Sequence, residues 1–248
     1  MKPVFTYTKG MTETDLHYCP GCTHGIAHRL IMEALEERGE LGKTIGVAPI
    51  GCAIFAHNYM NVDMLESAHG RAPAVATGIR RVHDDKVVFT YQGDGDLTSI
   101  GVTEIVHAAM RGEKISVFFI NNGIYGMTGG QMAPTTLIGQ KATTAIEGRT
   151  VEQAGYPIKM SELLATIPGA VYVERVALNN PANVRKAKKA VLKALEIQEQ
   201  RKGLTFVEFL SSCPTNWGLQ PADSMKWIEE KMMPYYPLGV YRTPEEDK

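Results

Sequence analysis

The sequence predicts an α/β fold with a mostly parallel sheet and helices on both faces. Two short runs rich in β-branched and aromatic residues, at 87–91 and 115–120, have the composition of buried strands. Between them, residues 97–110 place apolar side chains near helical spacing. A strand, a helix and a strand in this order form a βαβ unit, whose crossover makes the two strands parallel.

The same signals predict the other elements in chain order. We expect an irregular start at 1–18. Between it and the βαβ unit we expect a helix at 24–37, a strand at 44–47 and a helix that ends near residue 82. After it we expect a long loop at 126–149, a strand at 171–176, a helix at 182–200 and a strand at 204–210. The tail from residue 214 is aromatic but lacks periodicity, so we expect an arm that packs on another surface, such as a partner chain.

Composition limits the possible classes of function. A chain of 248 residues can bury the core of one α/β domain. The 26 basic and 27 acidic residues nearly cancel, which argues against binding nucleic acid through net charge. The sequence has no signal-peptide pattern and no apolar run near the roughly 18 residues of a membrane helix. We therefore expect a cytoplasmic protein, whose cysteines act as ligands more often than as disulfides.

Polar residues follow both strands of the βαβ unit. Gly93-Asp94-Gly95 comes after the first strand and Asn122 after the second, so both should lie at the carboxyl edge of the sheet, where open α/β sheets bind ligands. Mg²⁺ prefers oxygen ligands and usually takes one or two carboxylates plus substrate phosphates. Glycines let a backbone approach a phosphate closely. The pattern therefore predicts a diphosphate held through Mg²⁺.

Four cysteines form a second group of candidate ligands. They are Cys19, Cys22, Cys52 and Cys213. The first two enclose a Pro-Gly turn, and the other two follow predicted strands, at the edge where the diphosphate should bind. Four thiolates suit a 4Fe–4S cluster or a structural zinc ion, Cys-x-x-Cys suits a dithiol redox pair, and buried cysteines can be plain packing residues. Spacing alone does not choose among these interpretations.

Taken together, these motifs resemble a known enzyme family. Gly-Asp-Gly followed at this spacing by Asn-Asn resembles the signature of thiamine diphosphate enzymes, and residues 125–131, Tyr-Gly-Met-Thr-Gly-Gly-Gln, resemble the 2-oxoacid:ferredoxin oxidoreductases. The β subunits of these oxidoreductases also carry Cys-Pro-Gly-Cys, then Gly-Cys, then a late Cys-Pro. All of these motifs are present here, and the resemblance covers roughly residues 18–242.

The resemblance implies a role for each matched residue. It implies Mg²⁺ ligation by the Asp94 and Asn122 side chains and the Ile124 carbonyl, and a 4Fe–4S cluster on the four cysteines. The resemblance also implies that thiamine diphosphate contacts Gly93, Gly95, Asp96, Gly126 and Met127. The implied domain is a thiamine diphosphate-binding fold over residues 1–248, with a cluster-ligand segment at about 15–55 and a C-terminal arm at about 214–248.

Four other polar residues are candidates of lower specificity. His69-Gly70-Arg71 is a candidate for substrate or cofactor contact, with His69 and Arg71 as the candidate catalytic residues. Arg71 could hold a 2-oxoacid carboxylate bidentately, or it could form a structural salt bridge. We expect His24 near the cluster. Thr23 stands where many relatives have glycine, and its hydroxyl either donates to a cluster sulfur or has no effect. The loop at 126–149 should close over the diphosphate, since long loops in compact domains are usually functional.

The implied activity is oxidative decarboxylation of a 2-oxoacid to acyl-coenzyme A and CO₂, with electrons passed through the cluster to ferredoxin. The motifs look most like the branched-chain (2-oxoisovalerate) type, with 2-oxoglutarate and pyruvate types as alternatives. A chain of this length matches only the diphosphate-binding half, so the implied partners are a pyrimidine-binding α subunit and ferredoxin-like and γ subunits. Two other classes stay open: a non-redox thiamine diphosphate decarboxylase or carboligase half, and a zinc-bound scaffold subunit.

Overall fold

The computed structural model describes residues 6–244. Their strands are β1 (Thr44–Ala48), β2 (Asp63–Glu66), β3 (Val87–Gly93), β4 (Ser116–Asn121), β5 (Ala170–Ala177), β6 (Leu204–Leu210) and β7 (Gly239–Arg242). Their α-helices are α1 (His24–Glu37), α2 (Ala56–Tyr59), α3 (Ala72–Val82), α4 (Val102–Met110), α5 (Val151–Ala154), α6 (Met160–Ala165), α7 (Pro181–Glu199), α8 (Pro214–Trp217), α9 (Pro221–Trp227) and α10 (Met233–Tyr235).

These strands form one sheet in the order β2-β1-β3-β4-β6-β5-β7. The first six strands pair in parallel, and β7 joins β5 in antiparallel orientation. Every residue of β4 and β6 is buried, as expected for central strands of a parallel sheet that is covered on both faces. The predicted fold class is therefore confirmed.

Alternating side chains of the central strands supply two separate hydrophobic cores. Phe118 packs in the core formed with α1 and α7, whereas Phe119 packs in the opposite core with α3, α4 and α6. Successive side chains of a strand point to opposite faces, so each face of the sheet needs its own apolar partners. The amphipathic helices on either side supply them.

Most predicted elements are confirmed within one or two residues, but the helix predicted at 97–110 is interrupted. Asp96–Ile100 is a π-helical turn, and α4 begins only at Val102. A Cβ on Gly101 would lie 2.8 Å from the Gly70 carbonyl oxygen, so the chain needs glycine at this close approach. The prediction had no strand at β2 and no helices at α2, α5 or α6, all of which are short.

The C-terminal segment packs on the chain itself. There Ile228, Met232 and Tyr236 form an apolar cluster with Leu210 of β6. Residues 221–235 are continuously helical, with a π-helical stretch at Ile228–Met232 between α9 and α10. The prediction missed this helix, because the π-helical stretch breaks the regular 3.6-residue spacing of apolar positions.

Within residues 6–244, no helix is both long enough and apolar enough to cross a membrane.

Candidate functional site

The candidate site lies at the carboxyl edge of the sheet. Gly93 of β3 pairs with Ile120 of β4, and Asn121 of β4 pairs with Leu210 of β6, so these strands end side by side. The segments that leave the ends of β3, β4, β1 and β6 carry Asp94, Asn122, Cys52 and Cys213. The βαβ arrangement expected from the sequence thus brings the polar residues and two cysteines to one edge.

Asp94 is a buried carboxylate held by neutral donors. It accepts hydrogen bonds from the Gly95 backbone N–H at 2.9 Å, the Ile124 backbone N–H at 3.1 Å and the Thr135 hydroxyl at 2.7 Å. The Ile124 N–H also lies 3.2 Å from Asn122 Oδ1. The side-chain oxygens of Asp94 and Asn122 therefore share one donor and lie next to each other.

The environment of Asp94 disfavours its negative charge. Burial raises its pKa to about 6, although the bonds from Thr135 and the backbone act in the opposite direction. A divalent cation at these oxygens would favour the ionised form, because bound cations dominate local electrostatics. The donor set, a carboxylate oxygen beside an amide oxygen, matches the preference of Mg²⁺.

Glycines leave room for a ligand beside this pair. A cavity of about 120 Å³ is lined by Gly93, Asp94, Gly95, Asp96, Asn122 and Ile124, and also by His69, Tyr125, Gly126 and Met127. A Cβ on Gly95 would collide with the Tyr125 ring. Gly95 is therefore required by close packing of the cavity wall, whereas a Cβ on Gly93 would meet no atom within 4 Å.

His69 and Asp96 form a hydrogen-bonded pair at the rim of this cavity. The His69 Nδ1–H donates to Asp96 at 2.6 Å, and Asp96 also accepts from the Gly70 N–H at 2.7 Å and from Gln92 at 2.6 Å. Asp96 is thus engaged by protein donors, and it orients the imidazole of His69. Arg71 pairs with Glu104 and is not among the residues that line the cavity.

The four cysteines line a second cavity of about 230 Å³. All four are free thiols. A Cβ on Gly126 would lie 3.2 Å from the Cys52 sulfur and 3.5 Å from the Cys213 sulfur, so these two sulfurs are within about 7 Å of each other. Any side chain at Gly126 would enter the space that the thiols face.

The Cys22 and Cys52 thiols in this cavity are far from ionised. Burial, reinforced by the neighbouring cysteines, raises the pKa of both Cys22 and Cys52 to about 12. A metal centre binds thiolates, so it would supply the positive charge that this pocket lacks. Among the described residues, no three His, Cys, Asp or Glu side chains are placed to hold one metal ion. A 4Fe–4S cluster is a larger centre with several iron atoms, so its four thiolates do not all surround a single metal ion.

The two cavities adjoin. His24, Cys52, Asn122, Gly126 and Met127 line both of them. His24 donates or accepts at Nδ1 with the Tyr91 hydroxyl at 2.6 Å, and burial lowers its pKa to about 3. The histidine expected near the cysteines therefore lies there, as a neutral side chain between the two cavities.

Two residues of helix α8 supply three contacts that the sequence did not reveal. Asn216 donates to the Gly126 carbonyl at 2.9 Å and to the Cys213 sulfur at 3.3 Å. The Trp217 indole donates to the Asn122 carbonyl at 3.1 Å. Thr23, in contrast, is 2.7 Å from the Ser211 hydroxyl and accepts from the Ser212 N–H, so its hydroxyl is engaged away from the thiols.

Known proteins resemble this chain over most of its length. Residues 49–209 match the family described as thiamine pyrophosphate enzyme, C-terminal TPP binding domain. The chain is 51% identical over 239 residues to ketoisovalerate oxidoreductase subunit VorA of Methanothermobacter marburgensis. It is 40% identical to 2-oxoglutarate synthase subunit KorB of Methanocaldococcus jannaschii, over 86% of this chain and 77% of that protein. The chain belongs to the family of thiamine pyrophosphate-binding 2-oxoacid oxidoreductase subunits.

The lengths of these family members differ from that of this chain. The match to VorA covers 96% of this chain but 50% of VorA, so the chain spans about half the length of that relative. A solved structure of the family, 2-oxoglutarate:ferredoxin oxidoreductase from Magnetococcus marinus with 2-oxoglutarate, coenzyme A and succinyl-CoA bound, superposes with a TM-score of 0.78. It is 25% identical, and the match covers 94% of this chain and 83% of that one.

Proposed function

We propose that this chain is the thiamine diphosphate-binding part of a 2-oxoacid:ferredoxin oxidoreductase that also carries a 4Fe–4S cluster. One observation carries the proposal: a buried Asp–Asn oxygen pair and four free thiols line two cavities that share a wall. A redox enzyme of this kind needs its organic cofactor and its electron acceptor close together. A non-redox decarboxylase half has no need for thiols at that wall.

For the diphosphate, we propose that Asp94, Asn122 and the Ile124 carbonyl bind Mg²⁺. Gly93, Gly95, Gly126 and Met127 belong to the cavity wall and are the proposed contacts of the cofactor. Asp96 is proposed to act indirectly, because its carboxylate pairs with His69 at 2.6 Å and so orients that side chain. When bound, thiamine diphosphate supplies the electron sink for cleavage of the bond between the carboxylate and the 2-oxo carbon.

For the cluster, we propose Cys19, Cys22, Cys52 and Cys213 as the ligands. Thiolates are the usual ligands of Fe–S clusters, which accept one electron at a time. The Cys19–Cys22 turn is closed by a backbone bond from the Cys22 N–H to the Cys19 carbonyl at 2.9 Å, which points the two residues toward one side. The zinc-bound scaffold alternative predicts zinc and no thiamine diphosphate.

The chain's own residues then position and protect the reacting groups. His69, oriented by Asp96, lines the cavity and is proposed to hold or move a proton there with its second ring nitrogen. Trp217 donates a hydrogen bond to the Asn122 carbonyl, and Thr135 donates one to the Asp94 carboxylate. The segment 126–149 is proposed to limit access of water to the diphosphate. Arg71 has less support as a substrate contact, since it pairs with Glu104.

The proposed substrate is a branched-chain 2-oxoacid, 2-oxoisovalerate. Its support is the 51% identity to a ketoisovalerate oxidoreductase subunit, against 40% to a 2-oxoglutarate synthase subunit. 2-Oxoglutarate is the second candidate, because the related solved structure is named for that substrate. The proposed partners are a pyrimidine-binding α subunit or region, ferredoxin-like and γ subunits, coenzyme A and ferredoxin.

Anaerobic purification of the chain with its partner subunits tests the proposal. We expect visible absorption near 400 nm, with about four irons and four sulfides per copy of this chain once clusters on other subunits are subtracted. Reduction of ferredoxin should require both coenzyme A and a 2-oxoacid, with 2-oxoisovalerate preferred over 2-oxoglutarate and pyruvate. Zinc in place of iron, or decarboxylation without electron transfer, would contradict it.

A further inference from the structure

We infer that Asn216 is a positioning residue that raises the reduction potential of the cluster. This inference rests on the proposed function, since it requires the cluster on the four cysteines. Its basis is the pair of contacts made by the Asn216 side-chain amide, to the Cys213 sulfur at 3.3 Å and to the Gly126 carbonyl at 2.9 Å.

The orientation of the amide follows from its neighbours. A backbone carbonyl can only accept, and a metal-bound thiolate has no proton to give. The NH₂ group of Asn216 must therefore face both Gly126 and Cys213, because its own carbonyl oxygen could bond to neither. The Asn216 carbonyl oxygen instead points toward Gly130, whose added Cβ would lie 3.1 Å from it.

An N–H bond to a ligand sulfur favours the reduced cluster. Reduction adds one electron, so the cluster and its sulfurs become more negative, and a donor aimed at a sulfur stabilises that state more than the oxidised one. Hydrogen bonds to sulfur are among the recognised determinants of cluster potential. Removing the donor should therefore lower the midpoint potential.

The Asn216 side chain contacts both a cluster ligand and the wall of the cofactor cavity. Gly126 lines both cavities, and its carbonyl is held by the amide that contacts Cys213. The next residue, Trp217, holds the carbonyl of Asn122. One short helix thus contacts both proposed centres, and Asn216 is the member that reaches a cluster ligand.

The test compares Asn216→Leu, which has a similar size but no side-chain donor, with wild type in the anaerobic complex. The readout is the midpoint potential of this cluster, from a redox titration followed by electron paramagnetic resonance. Thr215→Val is the matched control, because Thr215 lies on the same helix but is exposed. We expect a lower potential for Asn216→Leu and no change for Thr215→Val. An unchanged potential in Asn216→Leu overturns the inference.

Loss of the cluster in the variant would not end the test. Asn216→Asp keeps the side-chain size but places a carboxylate oxygen where the donor was, and it should lower the potential as well. If both variants lose iron, the Asn122→Ala variant labelled with ¹⁵N at the asparagine side-chain amide decides, because Asn122 also lines the cysteine cavity. Pulsed electron paramagnetic resonance of its reduced cluster should detect a coupled asparagine nitrogen. Absence of that coupling overturns the inference.

The two proposals fail in different ways. A wild-type complex without iron at this chain removes the proposed function together with the inference. A wild-type complex with a normal cluster, whose potential is insensitive to Asn216→Leu, removes the inference alone.

Discussion

Asp94 and Asn122 share a single backbone donor: the Ile124 N–H lies 3.1 Å from Asp94 Oδ2 and 3.2 Å from Asn122 Oδ1. The two residues follow different strands, yet this shared N–H keeps their oxygens adjacent. A carboxylate has about four lone-pair sites, and an amide oxygen has two. Both residues therefore keep acceptor capacity for a cation while they are fixed by the protein.

Replacing Asp94 should abolish binding of one proposed cofactor and leave binding of the other unchanged. Asp94→Ala removes the only carboxylate proposed for Mg²⁺, so binding of thiamine diphosphate with Mg²⁺ should be lost while cluster iron is retained. Calorimetric titration and iron assay of the complex measure the two quantities. Asp85→Ala, at an exposed aspartate, is the control. Equal loss of both cofactors, in a folded variant, would show that the two sites are not separate.

Thr135 should contribute to cofactor affinity through Asp94. The Thr135 hydroxyl donates to Asp94 Oδ2 at 2.7 Å, and Thr135→Val removes this donor with little change in volume. Hydrogen bonds to charged groups contribute about 1.5–3 kcal/mol, so the Kd of thiamine diphosphate with Mg²⁺ should rise by about tenfold or more. Thr143→Val, at an exposed threonine of the same loop, should leave the Kd unchanged. A change below about twofold in Thr135→Val would contradict this role.

The fold was predictable because its signals are long or strongly apolar. The predicted helix at 24–37 and strand at 204–210 match α1 and β6 to the residue. Parallel topology then places the ends of β3 and β4 together, which is why Asp94 and Asn122 could be paired from sequence. Short elements such as α5 and β7 carry too few residues to show a period.

Contacts made by isolated polar side chains were not predictable. Thr135 lies in a threonine-rich loop, and nothing in the sequence distinguishes it from its neighbours. Asn216 and Trp217 act through backbone carbonyls, so their partners depend on how α8 folds back beside β4. Arg71 was a candidate because its residue type suits a carboxylate ligand, but in the structure the carboxylate that it binds is that of Glu104.

Cys213 should be needed for the cluster and dispensable for the diphosphate. Cys213→Ala removes one proposed thiolate, so iron and visible absorption should fall while thiamine diphosphate still binds. Retained cofactor binding is an internal control for folding, because Cys213 also packs against Ile124 in a small apolar cluster. A variant with full iron content would show that Cys213 is not a ligand.

The buried Arg175–Glu208 pair should stabilise the junction of β5 and β6. Both side chains have no exposed surface, and Arg175 Nε lies 2.9 Å from a Glu208 carboxylate oxygen. Arg175→Met would leave Glu208 as a buried charge without its cationic partner, which typically costs about 3–5 kcal/mol. Urea denaturation should show this loss, and the double variant with Glu208→Gln should recover part of it. A loss below about 1 kcal/mol would contradict the pairing.

Glu113 should make stability depend on pH in the acid range. Burial acts to raise its pKa, but hydrogen bonds and charges from Arg81 and Arg111 outweigh this and lower it below its ordinary value of 4.5. A lowered folded-state pKa means that the ionised form favours the folded state. Its contribution is therefore complete above about pH 4.5 and is lost as pH falls through the lower, folded-state pKa.

Glu113→Gln removes this ionisation and leaves the backbone turn between α4 and β4 in place. Unfolding of wild type and variant should be measured in urea at several pH values from 7 down to 3. The difference in their free energies of unfolding should be largest near neutral pH and should shrink below about pH 4.5, because the protonated Glu113 then resembles the amide. A difference that stays constant, or grows, as pH falls would mean that Arg81 and Arg111 do not stabilise the fold through the charge of Glu113.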